Sequence, residues 1–351
     1  MRTNGIYWFI IIISLAGVVS CNVCNDKGAT KDAEIRDIYF NSKNLNNESI
    51  NILAINAEGS NLEEVLNDAI LFAPPSKFAQ IVYKNNYDAK KLFLRNLKKR
   101  KSYEIKIDNS TELLSNPQIS NDGRYIIASK ERFNLVIIKN EYDSVFTNYY
   151  RTKTLDAHSF RYSIAPSSQK IIFFTYSDDK VLANIFDIDT KTIESSFTIY
   201  QALDNEIVLK IAWSKDSKYI YYCNDEDSIN YLFKRNVATG VETKYKLGAI
   251  ALDEISPISE NRLMASTSSG SIASISLAND TISSMETICE AKQDEQCCNL
   301  SYNEKNGKLI FNKIIKNSKP LQNGNLYYYD LNTEKIKYIF SNAGAAFWTD
   351  M

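Results

Sequence analysis

Self-similarity at a spacing of about 46 residues constrains this chain more than any other feature. Six segments each read as a short apolar strand, a turn rich in Ser, Pro, Asp or Gly, and a longer strand. They run from Leu71 to Tyr83, Pro117 to Ala128, Ile164 to Phe174, Ala212 to Tyr222, Pro257 to Ala265 and Leu300 to Phe311. A seventh anchor, Ala346-Phe347-Trp348-Thr349-Asp350, lies at the C-terminal end and echoes Ala212-Trp213-Ser214-Lys215-Asp216. Taking Ala73, Ser120, Ala165, Ser214, Ser259, Ser301 and Thr349 as equivalent gives steps of 47, 45, 49, 45, 42 and 48 residues.

A third strand follows in each unit, as in Asn184–Asp189, Tyr231–Phe233 and Leu326–Asp330, then a turn such as Ala238-Thr239-Gly240, then a fourth strand. Four alternating strands rich in β-branched and aromatic residues make one antiparallel blade. The last anchor lacks the rest of its blade, and residues 35–70 supply three strands that lack an innermost one. The expectation is an all-β, seven-bladed β-propeller of four-stranded antiparallel blades, closed by pairing the C-terminal strand with the N-terminal blade. Such closure removes two open sheet edges. The 351 residues would otherwise suit two ordinary domains. The register instead assigns residues 35–351 to one propeller domain, after a polar tether at 22–34 and a signal segment at 1–21.

In that signal segment Arg2 precedes an apolar run from Ile6 to Val19, too short for a membrane span of roughly twenty residues and suited to a signal core. Val18-Val19-Ser20-Cys21 resembles a bacterial lipobox, although leucine is the preferred first residue there. The resemblance implies lipidation at Cys21 and a periplasmic or cell-surface address. A secreted chain with a cleaved signal, and one tethered by an uncleaved signal anchor, are the alternatives. In an oxidising compartment Cys289 could pair with Cys297 or Cys298, a vicinal Cys297–Cys298 bridge being less favoured. Cys223, within Tyr221-Tyr222-Cys223, reads as a small buried apolar residue.

Pro117-Gln118-Ile119-Ser120-Asn121-Asp122-Gly123-Arg124-Tyr125-Ile126 resembles the TolB-type propeller motif, in which a Ser–Pro/Asn–Asp–Gly turn joins the first two strands. Leu155-Asp156-Ala157-His158-Ser159, with Ala165-Pro166-Ser167, Ser177-Asp178-Asp179-Lys180 and Ile185-Phe186-Asp187, resembles a degenerate WD40 repeat. No blade combines a Gly-His pair with a Trp-Asp pair, so the resemblance specifies fold rather than subfamily. Both groups commonly serve as platforms for other proteins. The WD40 resemblance implies a structural His158, hydrogen-bonded within its blade to Asp178 or Asp179.

Chemistry narrows further by composition. With 41 basic and 42 acidic residues and a net charge of −1, the chain lacks the basic excess of a nucleic-acid binder. A single histidine excludes multi-imidazole metal centres. Asp156 and Ser159 beside His158 invite a triad reading, but adjacent residues in an extended stretch point in alternate directions, so sequence proximity is no evidence for a relay. Asp178-Asp179 and Asp225-Glu226-Asp227 read as solvated turns without calcium-loop spacing. Neither cofactor, metal nor catalytic residue is expected, and the chain is expected to be monomeric. The strongest charge run, Lys98-Lys99-Arg100-Lys101, lies at a turn between strands three and four and offers a basic contact patch for an acidic partner or anionic lipid.

The reading that follows is a non-catalytic, exported platform for another envelope protein or peptide, with the membrane reached through the lipid anchor. The alternatives are a lyase or hydrolase using carboxylates at the central channel, and a glycan or small-ligand binding module.

Overall fold

The computed structural model describes residues 33–43, 49–85, 91–105, 114–130, 134–140, 151–156, 162–177, 180–199, 211–316 and 324–349. Ala33–Met351 forms one unit. The signal segment, Cys21, His158, Asp178 and Asp179 lie outside the described residues.

Among the described residues every regular element is a β-strand. The chain opens with β1 (Ile38–Lys43), β2 (Ile50–Ile55) and β3 (Glu63–Leu66). Five four-stranded sheets follow in order. The first holds β4 (Ala69–Leu71), β5 (Gln80–Asn85), β6 (Leu92–Asn96) and β7 (Lys101–Ile105). The second holds β8 (Leu114–Ile119), β9 (Tyr125–Lys130), β10 (Asn134–Lys139) and β11 (Arg151–Asp156). The third holds β12 (Tyr162–Ile164), β13 (Lys170–Ser177), β14 (Lys180–Asp187) and β15 (Thr192–Ile199). The fourth holds β16 (Ile211–Trp213), β17 (Tyr219–Glu226), β18 (Ile229–Asn236) and β19 (Glu242–Gly248). The fifth holds β20 (Leu252–Ser259), β21 (Arg262–Thr267), β22 (Ile272–Ala278) and β23 (Thr281–Cys289). Then come β24 (Glu295–Asn303), β25 (Lys308–Ile315), β26 (Gly324–Asp330) and the fourteen-residue β27 (Lys335–Trp348). These four join β1–β3 in a single seven-stranded antiparallel sheet.

The apolar runs are continuous because both faces of each sheet are covered, and adjacent residues leave the pleat in opposite directions. Ile126 packs with Val82 and Leu94 of the preceding sheet, whereas Ile127 packs with Ile171 and Phe173 of the next. Ile172 and Phe174 then face Trp213 and Tyr222, while Tyr221 faces Leu263 and Ile275. Met264 turns instead to Leu309 and Phe311. At the two ends of the series, Ile310 packs with Phe40 and Trp348, and Tyr39 packs with Leu71 and Ile81. Each cluster lies between one four-strand unit and its successor, and the last returns to the first. This is a β-propeller-like arrangement.

The C-terminal strand does pair with the N-terminal blade, and the fourth strand of the preceding unit runs straight into it. β27 pairs with β26 from Asp330↔Lys335 to Gly324↔Ala343, then with β1 from Ser42↔Ala343 to Ile38↔Trp348. Asn342, at φ +54°, lies next to Ala343, where the two pairings meet. Beyond the strand, Thr349 donates its N–H to Asp37 O at 2.9 Å and its hydroxyl to Arg36 O at 3.1 Å.

Two of the aligned anchor positions also move. Ser76, not Ala73, starts the first turn, since the Ala79 N–H bonds to Ser76 O at 3.0 Å just as Gly123 N–H bonds to Ser120 O at 2.7 Å. In the sixth unit the Gly307 N–H reaches Glu304 O, three residues beyond Ser301. Ala79, Gly123, Ser168, Ser217 and Gly307 all take a positive φ at the third place after the anchor. This shared left-handed residue, rather than any residue identity, is what repeats.

Buried polar side chains stitch neighbouring units together. Asn41, fully buried, donates to Leu71 O and accepts from Leu71 N–H, both at 2.8 Å. The equivalent place on β5 holds Lys84, whose Nζ reaches Leu114 O at 2.7 Å, and on β25 it holds Asn312, whose Nδ2 reaches Ala343 O at 3.1 Å. The Tyr162 hydroxyl bonds to Ile127 O at 2.7 Å, and the Tyr221 hydroxyl to Glu260 O at 2.7 Å.

Deleting residues 343–351 removes the inner strand of the seam and Trp348 with it. The truncated chain should lose its cooperative thermal transition or melt well below the intact protein, and an unchanged melting curve would refute closure. Asn41→Leu keeps the volume but strands two buried backbone groups of Leu71. Chemical denaturation should register a loss of about 2–4 kcal/mol.

Candidate functional site

Antiparallel alternation puts the turns joining first to second and third to fourth strands on one face of the propeller, and the remaining connections on the other. Each face carries one group of residues able to act.

On the first face, short turns are braced by repeated side-chain chemistry. The Ser120 hydroxyl donates to Asp122 Oδ1 at 2.7 Å and accepts the Tyr125 N–H at 2.9 Å, while Asp122 Oδ1 accepts the Arg124 N–H at 3.1 Å. Ser214, Asp216, Lys218 and Tyr219 repeat the pattern at 2.7, 2.8 and 3.1 Å. Burial alone would raise both carboxyls, but these hydrogen bonds and the adjacent Arg124 or Lys218 outweigh it and hold them below the ordinary 3.8. The turns are also tied to one another. Lys77 N–H reaches Asn121 O at 2.8 Å, Asp122 N–H reaches Ser168 Oγ at 3.0 Å, and Ser167 N–H reaches Ser217 Oγ at 2.8 Å. Lys215 extends the belt across the fifth unit, its ammonium 4.1 Å from the Tyr302 ring centroid and 3.6 Å from Glu304.

The basic run sits on this face. Lys98, Lys99, Arg100 and Lys101 are all exposed, at the β6–β7 turn. Arg100 is paired with Glu63 at 2.8 Å, which neutralises one of the four charges. Ala33 donates its N–H to Lys98 O at 3.0 Å, so the end of the expected tether rests on the same turn. Leu97 N–H bonds to Ala79 O at 2.8 Å, which brings this turn against Lys77 and Phe78. Phe78 is 56% exposed. Sequence reasoning did not single out Phe78, because an aromatic residue next to a strand pattern reads as core.

On the opposite face, an open cleft of about 370 Å³ lies between the fourth and fifth units. Ala249 and Ile250 form one wall, Thr267, Ser268, Ser269 and Ser271 a second, and Thr287, Glu290 and Ala291 the rim. Gly270, at φ +93°, shapes the serine loop, and a Cβ there would stand 2.8 Å from Glu295 O. The close approach lets Gly270 O accept the Cys297 N–H at 2.7 Å.

Behind this loop, between the fifth and sixth units, Cys289 and Cys297 are both buried with their sulfurs 4.0 Å apart. Cys298 is the next residue along β24 and leaves the pleat on the other side. Burial foremost, then Glu254, raises its pKa. Lys313 stands opposite Cys297 in the β24–β25 register and donates to the carbonyl oxygen of Glu290, the residue after Cys289, at 3.3 Å. The Cys297 thiol, then the Lys313 ammonium, hold Cys289 well below the ordinary thiol value against the opposing effect of burial. Donation to Cys289, reinforced by burial, pushes Cys297 up. Lys313 was not legible as a partner from sequence, lying 24 residues from Cys289 on a strand of the next unit. Cys223 is buried among Tyr221, Leu232 and Leu263. Among the described residues no group of three or more His, Cys, Asp or Glu is placed to hold a metal.

No family model and no curated protein matches the sequence. Solved structures do. A protein assigned as TolB from Agrobacterium tumefaciens superposes with a TM-score of 0.50 at 15% identity, over 73% of this chain and 90% of that one. That likeness shows the fold alone.

The depressed carboxyls set an acid limit. Asp122 and Asp216 stabilise the folded state fully above their ordinary value of 3.8, and this contribution fades as pH falls through their lower folded values. The doubly substituted Asp122→Asn/Asp216→Asn chain should therefore show a shallower fall in thermal midpoint than the native chain between about pH 4 and pH 2. Parallel curves would remove these two turns as the cause.

Proposed function

We propose that this chain is an exported, non-catalytic binding propeller of seven four-stranded blades. Lipidation at Cys21 anchors it, and the face of first-to-second-strand turns receives an acidic, partly apolar segment of another envelope protein. The single observation that carries this reading is the juxtaposition of Phe78 with Lys77, Lys98 and Lys99 through the Leu97–Ala79 hydrogen bond. An exposed aromatic residue on the same face as exposed lysines, on connections one backbone hydrogen bond apart, offers an apolar anchor and a polar rim on one surface. The belt of turn-to-turn hydrogen bonds supports it, because a surface already ordered loses little entropy on binding. The TolB-like fold is compatible with such a platform but does not choose among binding functions.

A second reading has its own observation. The cleft of about 370 Å³, walled by serine and threonine hydroxyls with Glu290 at its rim, falls within the size range of small-molecule sites. It suits a small polar ligand.

Selection of a random peptide library on the immobilised full-length chain tests the first reading, with the Phe78→Ala/Lys98→Glu/Lys99→Glu chain in parallel. Acidic peptides carrying an aromatic or aliphatic residue should be enriched on the native chain, weaken with salt, and lose roughly ten-fold or more in affinity on the variant. Equal enrichment on both chains removes this face from the proposal. A thermal shift produced by free sugars or amino acids, and abolished by Thr287→Trp, would favour the cleft instead. Incorporation of a lipid precursor into the native chain but not into Cys21→Ala tests the anchor separately.

A further inference from the structure

The fifth and sixth four-strand units meet at a pair of thiols that the binding face does not use. Cys289 ends β23 and Cys297 lies near the start of β24, with the short connection 290–294 between them. Their sulfurs are 4.0 Å apart, so a bond of about 2.05 Å requires them to close by about 2 Å. Lys313 is positioned beside the pair, opposite Cys297 in the β24–β25 register and with its ammonium 3.3 Å from Glu290 O. Both cysteines are buried, yet Glu290, Lys292, Gln293 and Asp294 above them are exposed. One short connection therefore separates the sulfurs from solvent.

We propose that Cys289 and Cys297 form a reversible disulfide by exchange with a small external disulfide such as oxidised glutathione, with Cys289 as the attacking thiolate, Cys297 as the resolving thiol and Lys313 as a positioning residue. In the first step the Cys289 thiolate attacks one sulfur of the external disulfide. A mixed disulfide forms and one thiolate leaves. The departing thiolate takes the Cys297 proton, and the Cys297 sulfur then attacks Cys289 Sγ and expels the second thiolate. The two protein thiols lose two electrons and two protons, and the external disulfide gains both pairs as two thiols. Cys298 takes no part, because it leaves the strand on the opposite side from Cys297.

The order of attack follows from the surroundings. Lys313 and the Cys297 thiol both stabilise negative charge on Cys289, whereas Cys297 has a thiolate acceptor beside it and keeps its proton. Formation of the bond would also act on the cleft. Glu290 and Ala291 belong to its rim, they follow Cys289 directly, and Cys297 N–H is bonded to Gly270 O in the loop that forms its wall.

The test is a thiol map of the native full-length chain after equilibration with oxidised glutathione, by alkylation, digestion and mass spectrometry. A Cys289–Cys297 linked peptide is expected, removed by reductant and unaffected by Cys298→Ser. Cys297→Ser should stop at a glutathione adduct on Cys289. Lys313→Gln should slow linkage roughly ten-fold, the net of a smaller thiolate fraction and a more nucleophilic sulfur. Lys313→Arg should restore much of the rate. Recovery of Cys289 and Cys297 as free thiols, or a bridge made through Cys298 or Cys223, would overturn the proposal. The native chain and Cys298→Ser decide it even if other variants fail to fold.

Discussion

Everything in this molecule depends on β27 bonding along both of its edges. Its first half completes one four-strand unit through β26, and its second half begins the next through β1. A row of separate sheets would leave a bare hydrogen-bonding edge and an uncovered apolar face at each end. Joining the ends removes both defects at once. Ile310, Phe40 and Trp348 then become core in the same way as Phe174 and Tyr222 half-way along the chain. Because neighbouring units share every apolar cluster, a loss at the seam propagates through the series instead of ending at one unit.

Closure imposes a second requirement. A sheet buried on both faces has no solvent for polar groups on its flanks, so each must find a partner within the protein. Asn41, Lys84 and Asn312 meet this requirement from equivalent places, each reaching a backbone carbonyl of the next inner strand. The turns meet it with Ser–Asp pairs and bonds to the neighbouring turn. One consequence is functional: the side chains of Lys77, Phe78, Lys98 and Lys99 are carried on a pre-ordered surface. On the other face a cleft and a thiol pair flank the same sheet, the fifth.

The internal repeat was legible because burial on both faces leaves continuous apolar runs, and because a tight turn between them needs particular residues. Its register was less so. Ala73 and Ser301 looked like anchors by composition, yet the backbone sets the turn three residues later in both units. A left-handed residue that is glycine in two units, alanine in one and serine in two more leaves no constant letter to align. Among candidate site residues, the exposure of Lys98, Lys99 and Lys101 agreed with their charge, whereas the pairing of Arg100 with Glu63 required knowing which strand lies beside the turn. Phe78 and Lys313 were missed for the same reason: each acquires its role from a neighbour distant in sequence.

By itself the sequence determined the period, the antiparallel strand character and the closing of the chain on itself. All three are written in local alternation and in strands left without partners at the two ends. Only the tertiary structure decided that the closing strand is a continuation of the preceding one, that Cys297 rather than Cys298 faces Cys289, and that a lysine stands beside them. Those facts depend on which side of a pleat each residue leaves, and a shift of one residue reverses that side. Local sequence specifies that an alternation exists, and only packing against both neighbours sets its phase.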